Sequence, residues 1–461
     1  MKIKDLIKQD PGFQFVIDNM ELMSSAGRRT MLDEEYIADP ASLEARWALV
    51  QKTLDAVANP ANSRPVNDLR HCLMQLHDLQ GTIGALAGHQ VLNEVEFFEI
   101  KLLAHLNGKA SVALAALGLA EDLPLPSLDD VSVLLDPDAT GVVHFYIYDS
   151  YDSRLPELRR ELKALQEHDG NPQRIADLLA LQNDIQQQVC VRLSDALALR
   201  RDALENVLNT LAFTDFLLAK VDLARRWSLV RPVLGAVTSY NALFNPRLRE
   251  RNAELGLRYQ PVDIALPHGV TLVTGANMAG KTVLLKSVGT AQLMVQCGFF
   301  APAEVAEIEP VEEVMTSIGD EQNEMNGLSS FASEIIKISN IVQRVRTTRI
   351  LVLVDEPART TNPVEGKALV QALISLLGES ESVSLVTTHY SQLGSHCRRL
   401  RVKGFVEDLC DMPLNPQNIN RFIDYSLTED TSDEVPHEAL RIATILGCDN
   451  ALLDHAREAL R

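Results

Sequence analysis

One stretch constrains this chain more than any other: Val270-Thr-Leu-Val-Thr-Gly275-Ala-Asn-Met-Ala-Gly280-Lys281-Thr282-Val283. A β-rich apolar run enters it and a helix-forming run leaves it, so the pattern G-x-x-x-x-G-K-T sits between a strand and a helix. Gly275 and Gly280 let the backbone curl until its N–H groups and the helix N-terminus face a phosphate. Lys281 then reaches the terminal phosphate oxygens, and the Thr282 hydroxyl ligates Mg²⁺. Gly275, Ala276, Asn277, Met278, Ala279, Gly280, Lys281, Thr282 and Val283 are therefore the candidate nucleotide contacts.

Two further apolar runs complete the pattern. Ile350-Leu-Val-Leu-Val-Asp355-Glu356 carries two carboxylates at a strand's C-terminal end, where open α/β sheets bind ligands. Asp355 is the second candidate metal ligand, and Glu356 the group that orients or deprotonates an attacking water. Val383–Thr387 leads into Thr388 and His389, placed to sense the γ-phosphate. The candidate catalytic set is thus Glu356, His389 and Lys281. Three such runs separated by helical stretches predict a mainly parallel sheet covered on both faces.

Upstream the texture is helical. Leu69, Leu73, Leu76 and Leu79 recur with the period of one buried helix face. Val131–Leu135 and Val142–Tyr148 read as a small β insertion around a Pro137-Asp138 turn. Leu155, Leu158, Leu162 and Leu165 mark one long helix. Leu178, Leu181, Ile185 and Val189 mark a second that Leu193, Leu197, Leu204, Leu208 and Leu211 extend, making a lever-like antiparallel hairpin. At roughly 100–200 residues per domain, 461 residues hold several domains. The predicted division is a helical core over 1–130, lever or clamp helices with the β insertion over 131–228, and the α/β domain over 229–461.

Composition narrows the partners. Lys and Arg number 43 against 63 Asp and Glu, and the net charge of −20 is the wrong sign for a surface that tracks a phosphate backbone throughout. The basic residues of the lever, Arg154, Arg159, Arg160, Lys163, Arg192, Arg200 and Arg201, are interleaved with acids and read as a solvated helix face. Six cysteines without a C-x-x-C pair suit a reduced, cytoplasmic setting. The N-terminus lacks the apolar core of a signal peptide, and Ala110–Ala120 is too short to span a bilayer, so no membrane contact is expected.

Thr-Gly-Ala-Asn-Met-Ala-Gly-Lys-Thr, Leu-Val-Leu-Val-Asp-Glu-Pro-Ala-Arg-Thr-Thr and Thr-Thr-His-Tyr together resemble the nucleotide-binding motifs of the MutS family. Ser317-Ile-Gly-Asp320 and Gly327-Leu-Ser-Ser-Phe-Ala-Ser-Glu334 are similar to the family's Gly-Asp and Ser-Thr-Phe-x-x-Glu stretches. The resemblance implies an α + α/β protein, a helical core and lever followed by an ABC-type ATPase domain with a C-terminal helical dimerisation segment. It also implies ATP with Mg²⁺, and a homodimer whose composite ATP sites receive Ser329 and Ser330 from the opposite subunit. Tyr259 matches the aromatic that stacks on adenine.

Departures from the family shape the functional expectation. With 274 residues ahead of Gly275, the mismatch-reading and connector domains are expected to be lacking, as is the nuclease-like domain of the second MutS branch. Phe97-Phe98-Glu99 has the form of a mismatch wedge but lies in an amphipathic run, so a core helix is expected. Ala276, Ala279, Pro357, Ala358 and Thr360 replace usual motif residues, while Lys281, Thr282, Asp355, Glu356, Arg359 and His389 remain. The leading expectation is an ATP-hydrolysing DNA-binding dimer that senses structure or damage. The alternatives are an ATP-dependent remodelling factor for a protein such as a metabolic mutase, and a degenerate ATP-binding scaffold.

Overall fold

The computed structural model describes the chain except residues 168–170, 276–278, 320–329, 392, 394–396, 407–418, 431–439, 441–442, 445–446 and 460–461; for Ser330, Ile419 and Asn420 only the backbone is described. Its described strands, in chain order, are β1 (Val233–Leu234), β2 (Thr238–Leu243), β3 (Val262–Leu266), β4 (Gly269–Thr274), β5 (Val305–Ile308), β6 (Val314–Ser317), β7 (Leu351–Asp355), β8 (Val383–Thr387), β9 (Arg398–Phe405) and β10 (Ile423–Glu429). Contacts divide the chain into two units, Met1–Met20 with Glu35–Ala48 and Leu223–Arg461, and Glu21–Glu34 with Leu49–Asp222.

The first unit is built on a six-stranded sheet of order β10-β9-β4-β8-β7-β6, parallel except for the antiparallel edge strand β10. A smaller sheet runs β1-β5-β2-β3. Leu351 to Val354 and every residue of β8 are buried, the near-continuous apolar run of a sheet covered on both faces. Val352 and Val354 pack with Ile341 and Val345 of the helix Ser330–Val345 and with Val370, Leu373 and Leu377 of Pro363–Gly378. Leu353 meets the helix Lys281–Gln296, where a Cβ on Gly289 would lie 2.8 Å from its Cδ1. Strand alternation assigns the two contacts to opposite faces.

Residues predicted to belong to the helical core instead brace the phosphate-loop helix. Asp10 caps the helix Pro11–Asp18; its carboxylate accepts the Phe13 N–H at 2.6 Å and the Thr290 hydroxyl at 3.1 Å. Trp47 donates its indole N–H to the Val295 carbonyl at 3.0 Å, and the Tyr36 hydroxyl donates to Gln296 at 2.7 Å. Burial pushes the Asp10 carboxyl above its ordinary pKa. Helical periodicity marks the N-terminal stretches as helices but does not name what their apolar faces cover.

The second unit is helical. The predicted β insertion does not form: Asp129–Leu135 is a helix, and 142–148 is neither helix nor strand and pairs with no strand among the described residues. Acidic Asp129 and Asp130 in the first turn suit a helix start. The aromatic segment packs inward instead, with Phe145 and Tyr148 buried and Phe97 5.2 Å from Phe145 between ring centroids. Lys101 is buried with its ammonium 2.9 Å from the Tyr148 hydroxyl and 3.4 Å from Asp136. Phe97 itself is fully buried in the helix Glu94–Ala116.

Leu155–Glu167 and Pro172–Ala198 form the hairpin, with a connection too short for anything but antiparallel neighbours. The predicted extension to Leu211 is broken at Leu199 and Arg200, after which a new helix runs Arg201–Trp227. Buried Leu197 and Leu204 carry the apolar spacing across that break, so periodicity alone reads one helix. Asp215 accepts the Met23 N–H at 3.0 Å, the Ser24 N–H at 2.8 Å and the Ser24 hydroxyl at 2.6 Å, anchoring the start of Ser25–Asp33.

Candidate nucleotide site

The sheet order places the ends of β4, β8 and β7 side by side, which brings the three sequence motifs together. β4 ends at Thr274 and opens into the phosphate loop; Gly275 has φ 146° and Gly280 φ 80°. A Cβ on Gly280 would lie 2.9 Å from the Tyr425 ring, so both backbone conformation and space demand glycine there. The helix beginning at Lys281 points its N-terminus at this loop. Ala276, Asn277, Met278 and Ser329 lie outside the described residues, as does the side chain of Ser330, whose backbone begins the helix Ser330–Val345.

Lys281 is buried and donates to the Gly275 carbonyl at 2.8 Å; its ammonium is 3.3 Å from Glu356 Oε1. The Thr282 hydroxyl donates to Asp355 Oδ2 at 2.6 Å, and the Thr387 hydroxyl donates to Asp355 Oδ1, also at 2.6 Å. Thr387 also receives the Glu356 N–H, at 3.0 Å on its hydroxyl and 3.1 Å on its carbonyl. Arg359 stands 3.9 Å from Glu356 Oε2. A hydroxyl and a carboxylate in contact are hard oxygen donors, a set that fits Mg²⁺ carrying most of its own water.

His389 follows β8, between the ends of β4 and β7; its exposed ring lies against Tyr390, 4.3 Å between centroids. Beside the phosphate loop a pocket of about 560 Å³ is lined by Ala279, Gly280, Val283, Leu257, Tyr259 and Tyr425, among others. An apolar cleft of this size with a few polar groups at its rim suits a heterocyclic base. The Tyr259 hydroxyl accepts the Asn245 N–H at 2.7 Å, and burial raises its pKa.

Three participants carried no role in the sequence reading. Thr387 is the hydroxyl that joins Asp355 to the Glu356 backbone; in the sequence it stands only as the first residue of Thr-Thr-His-Tyr, with no role of its own. Tyr425 comes from the edge strand β10, remote in sequence, and burial raises its pKa. Glu334 holds the turn after Glu356 through the Ala358 N–H at 2.9 Å.

That turn is strained. Glu356 has φ 43° and Ala358 φ 59°, left-handed conformations that cost a non-glycine residue about 1–2 kcal/mol each. Substituting Ala358→Gly removes one of these costs, offset in part by the freer unfolded chain. The expected net gain raises the thermal midpoint by about 2 °C, measured by calorimetry. A lower midpoint would mean that the alanine methyl, buried in the core, stabilises more than the backbone strain costs.

A phosphate loop, an acidic strand and a following strand ending in Thr-Thr-His, on one mainly parallel sheet with an antiparallel edge, define an ABC-type P-loop nucleotide domain. The family described as MutS domain V matches residues 271–461. The protein named Endonuclease MutS2 from Lactobacillus acidophilus is 35% identical over 200 residues, 42% of this chain and 24% of the relative. Endonuclease MutS2 from Thermus thermophilus is 35% identical over 203 residues, 44% and 26%. DNA mismatch repair protein MutS, also from Thermus thermophilus, is 32% identical over 208 residues, 45% and 25%. Each match spans about a quarter of the relative's length. Over its nucleotide-binding half, the chain is MutS-like.

Proposed function

We propose that the protein is an ATP-hydrolysing switch that passes its nucleotide state to its helical unit. The observation that carries this reading is the convergence of Lys281, Thr282, Asp355 and Glu356 at the ends of neighbouring strands. Thr282 and Asp355 would hold Mg²⁺, which when bound would supply positive charge to offset that of the phosphates. Lys281 exchanges the Gly275 carbonyl and Glu356 for phosphate oxygens. Glu356, released from Lys281, accepts the proton of the attacking water, while His389 contacts the γ-phosphate. The base rests in the pocket beside Tyr259. Two subunits pair so that Ser329 and Ser330 of each complete the other's site, and the setting is cytoplasmic.

Duplex or branched DNA is the target we infer, because the relatives matched include one named for mismatch repair and shape recognition by a dimer needs no base-reading domain. A second reading, a protein target, is favoured by the lever's own charges. Arg154 pairs with Asp152 at 2.9 Å, Arg200 with Asp130 at 2.8 Å, Lys163 with Glu167 at 4.0 Å, and Arg159 with Asp149. Cations already neutralised by neighbouring carboxylates release few counterions on meeting a phosphate backbone.

Fluorescence anisotropy of Glu356→Gln loaded with ATP and Mg²⁺, against matched, mismatched and four-way-branched DNA at two salt concentrations, separates the two. Submicromolar, salt-dependent binding with a structural preference supports the DNA reading. Absence of binding at both salts discards it in favour of a protein target, to be captured with the same variant. Failure of the wild type to turn over ATP would leave only a nucleotide-binding scaffold.

A further inference from the structure

Ala358 is held from both sides by segments far apart in sequence. Its N–H donates to Glu334 Oε1 at 2.9 Å, and its carbonyl accepts from the Tyr390 hydroxyl at 3.3 Å. Glu334 stands near the start of the helix Ser330–Val345, and Tyr390 immediately follows His389. Gly366 makes the second contact possible: a Cβ there would lie 2.3 Å from the Tyr390 hydroxyl and 3.0 Å from the Ala358 carbonyl oxygen.

What this clamp holds is the strained turn between φ 43° at Glu356 and φ 59° at Ala358. Two left-handed non-glycine residues so close together persist only where surrounding contacts over-determine them. A carboxylate accepting a backbone N–H is stronger than a neutral bond, and Ala358 is buried, so water does not compete for it.

We propose that Glu334 is a positioning residue for hydrolysis: through the Ala358 N–H it fixes the turn that aims Glu356, and so ties the helix Ser330–Val345 to the hydrolytic step. This rests on the ATPase reading of Glu356 given above. Lys281 touches Glu356 but is also held by the Gly275 carbonyl, and Thr282 is held by Asp355, so a shift of that helix changes water activation far more than ATP binding. Hydrolysis is then gated by whatever moves the helix.

The test compares full-length Glu334→Ala, Glu334→Gln and Glu334→Ala/Ala358→Gly. In the nucleotide-free protein, Glu334→Ala is expected to speed deuterium exchange of the Ala358 amide by about tenfold or more, with no change in the helix Lys281–Gln296. Its kcat falls by about 10- to 100-fold, while ATP affinity, titrated directly, stays within about twofold. Glu334→Gln, whose amide oxygen accepts the same N–H, restores most of the turnover. Ala358→Gly in the Glu334→Ala background recovers part of it, because glycine adopts the turn without a clamp. Unchanged exchange at Ala358 overturns the proposal whatever the turnover does, and so does a parallel loss of ATP affinity and kcat. A wild type that binds ATP without hydrolysing it sinks the ATPase reading instead, and the exchange result still decides whether the clamp exists.

Discussion

Glu356→Gln is expected to bind ATP at least as tightly as the wild type while its hydrolysis rate falls by about 10²- to 10⁴-fold, the range for loss of a positioned general base. The substitution keeps the shape of the side chain, and the Glu356 N–H bonds to Thr387 do not depend on the carboxylate. What is lost is the acceptor for the water proton. A second consequence is particular to this site. Glu356 lies 3.3 Å from the Lys281 ammonium, so its carboxylate competes with phosphate oxygens for Lys281. Glutamine removes the competitor, and ATP affinity therefore rises slightly. Single-turnover hydrolysis and a fluorescent-nucleotide titration measure the two effects separately; normal turnover in this variant would falsify the role given to Glu356.

Lys281→Ala acts on the other half of the same pair. Its ammonium lies in a buried position, shielded from water, where hydrogen bonds to charged groups contribute about 1.5–3 kcal/mol each. Removing it is expected to weaken ATP binding by about 100-fold, read by isothermal titration. The nucleotide-free protein also loses stability, because Glu356 and the Gly275 carbonyl lose the cation they share. Both effects appear together only if Lys281 is both the phosphate ligand and the ion-pair partner of Glu356. An unchanged ATP affinity would move the binding energy away from the phosphate loop, to the base pocket beside Tyr259 and Tyr425.

Much of the candidate nucleotide site was legible in the sequence because its residues lie in short, contiguous motifs. The glycines at 275 and 280, the Lys281-Thr282 pair and the Asp355-Glu356 pair each state their local geometry, and buried strands announce themselves by unbroken apolar runs. Thr387 and Tyr425 were not legible as participants. A hydroxyl at a strand end and an aromatic on an edge strand are ordinary residues until the sheet order sets them against Asp355 and Gly280. The helical unit shows the same limit from the other side. Val142–Tyr148 has the alternation of a strand, yet a strand needs a neighbour to receive its hydrogen bonds, and here the aromatic side chains find the helix Glu94–Ala116 instead.

By itself, then, the sequence marked the glycine-rich loop, the carboxylates at a strand end and the buried runs of the parallel sheet, because periodicity and backbone freedom are local properties. Tertiary structure alone decided that residues 1–20 and 35–48 belong with the nucleotide-binding half, where Asp10, Tyr36 and Trp47 hold the helix Lys281–Gln296. It also decided that Glu334 and Tyr390 meet at Ala358. The physical reason is common to both. A hydrogen bond between groups hundreds or tens of residues apart depends on where packing carries each segment, and no local pattern encodes its partner.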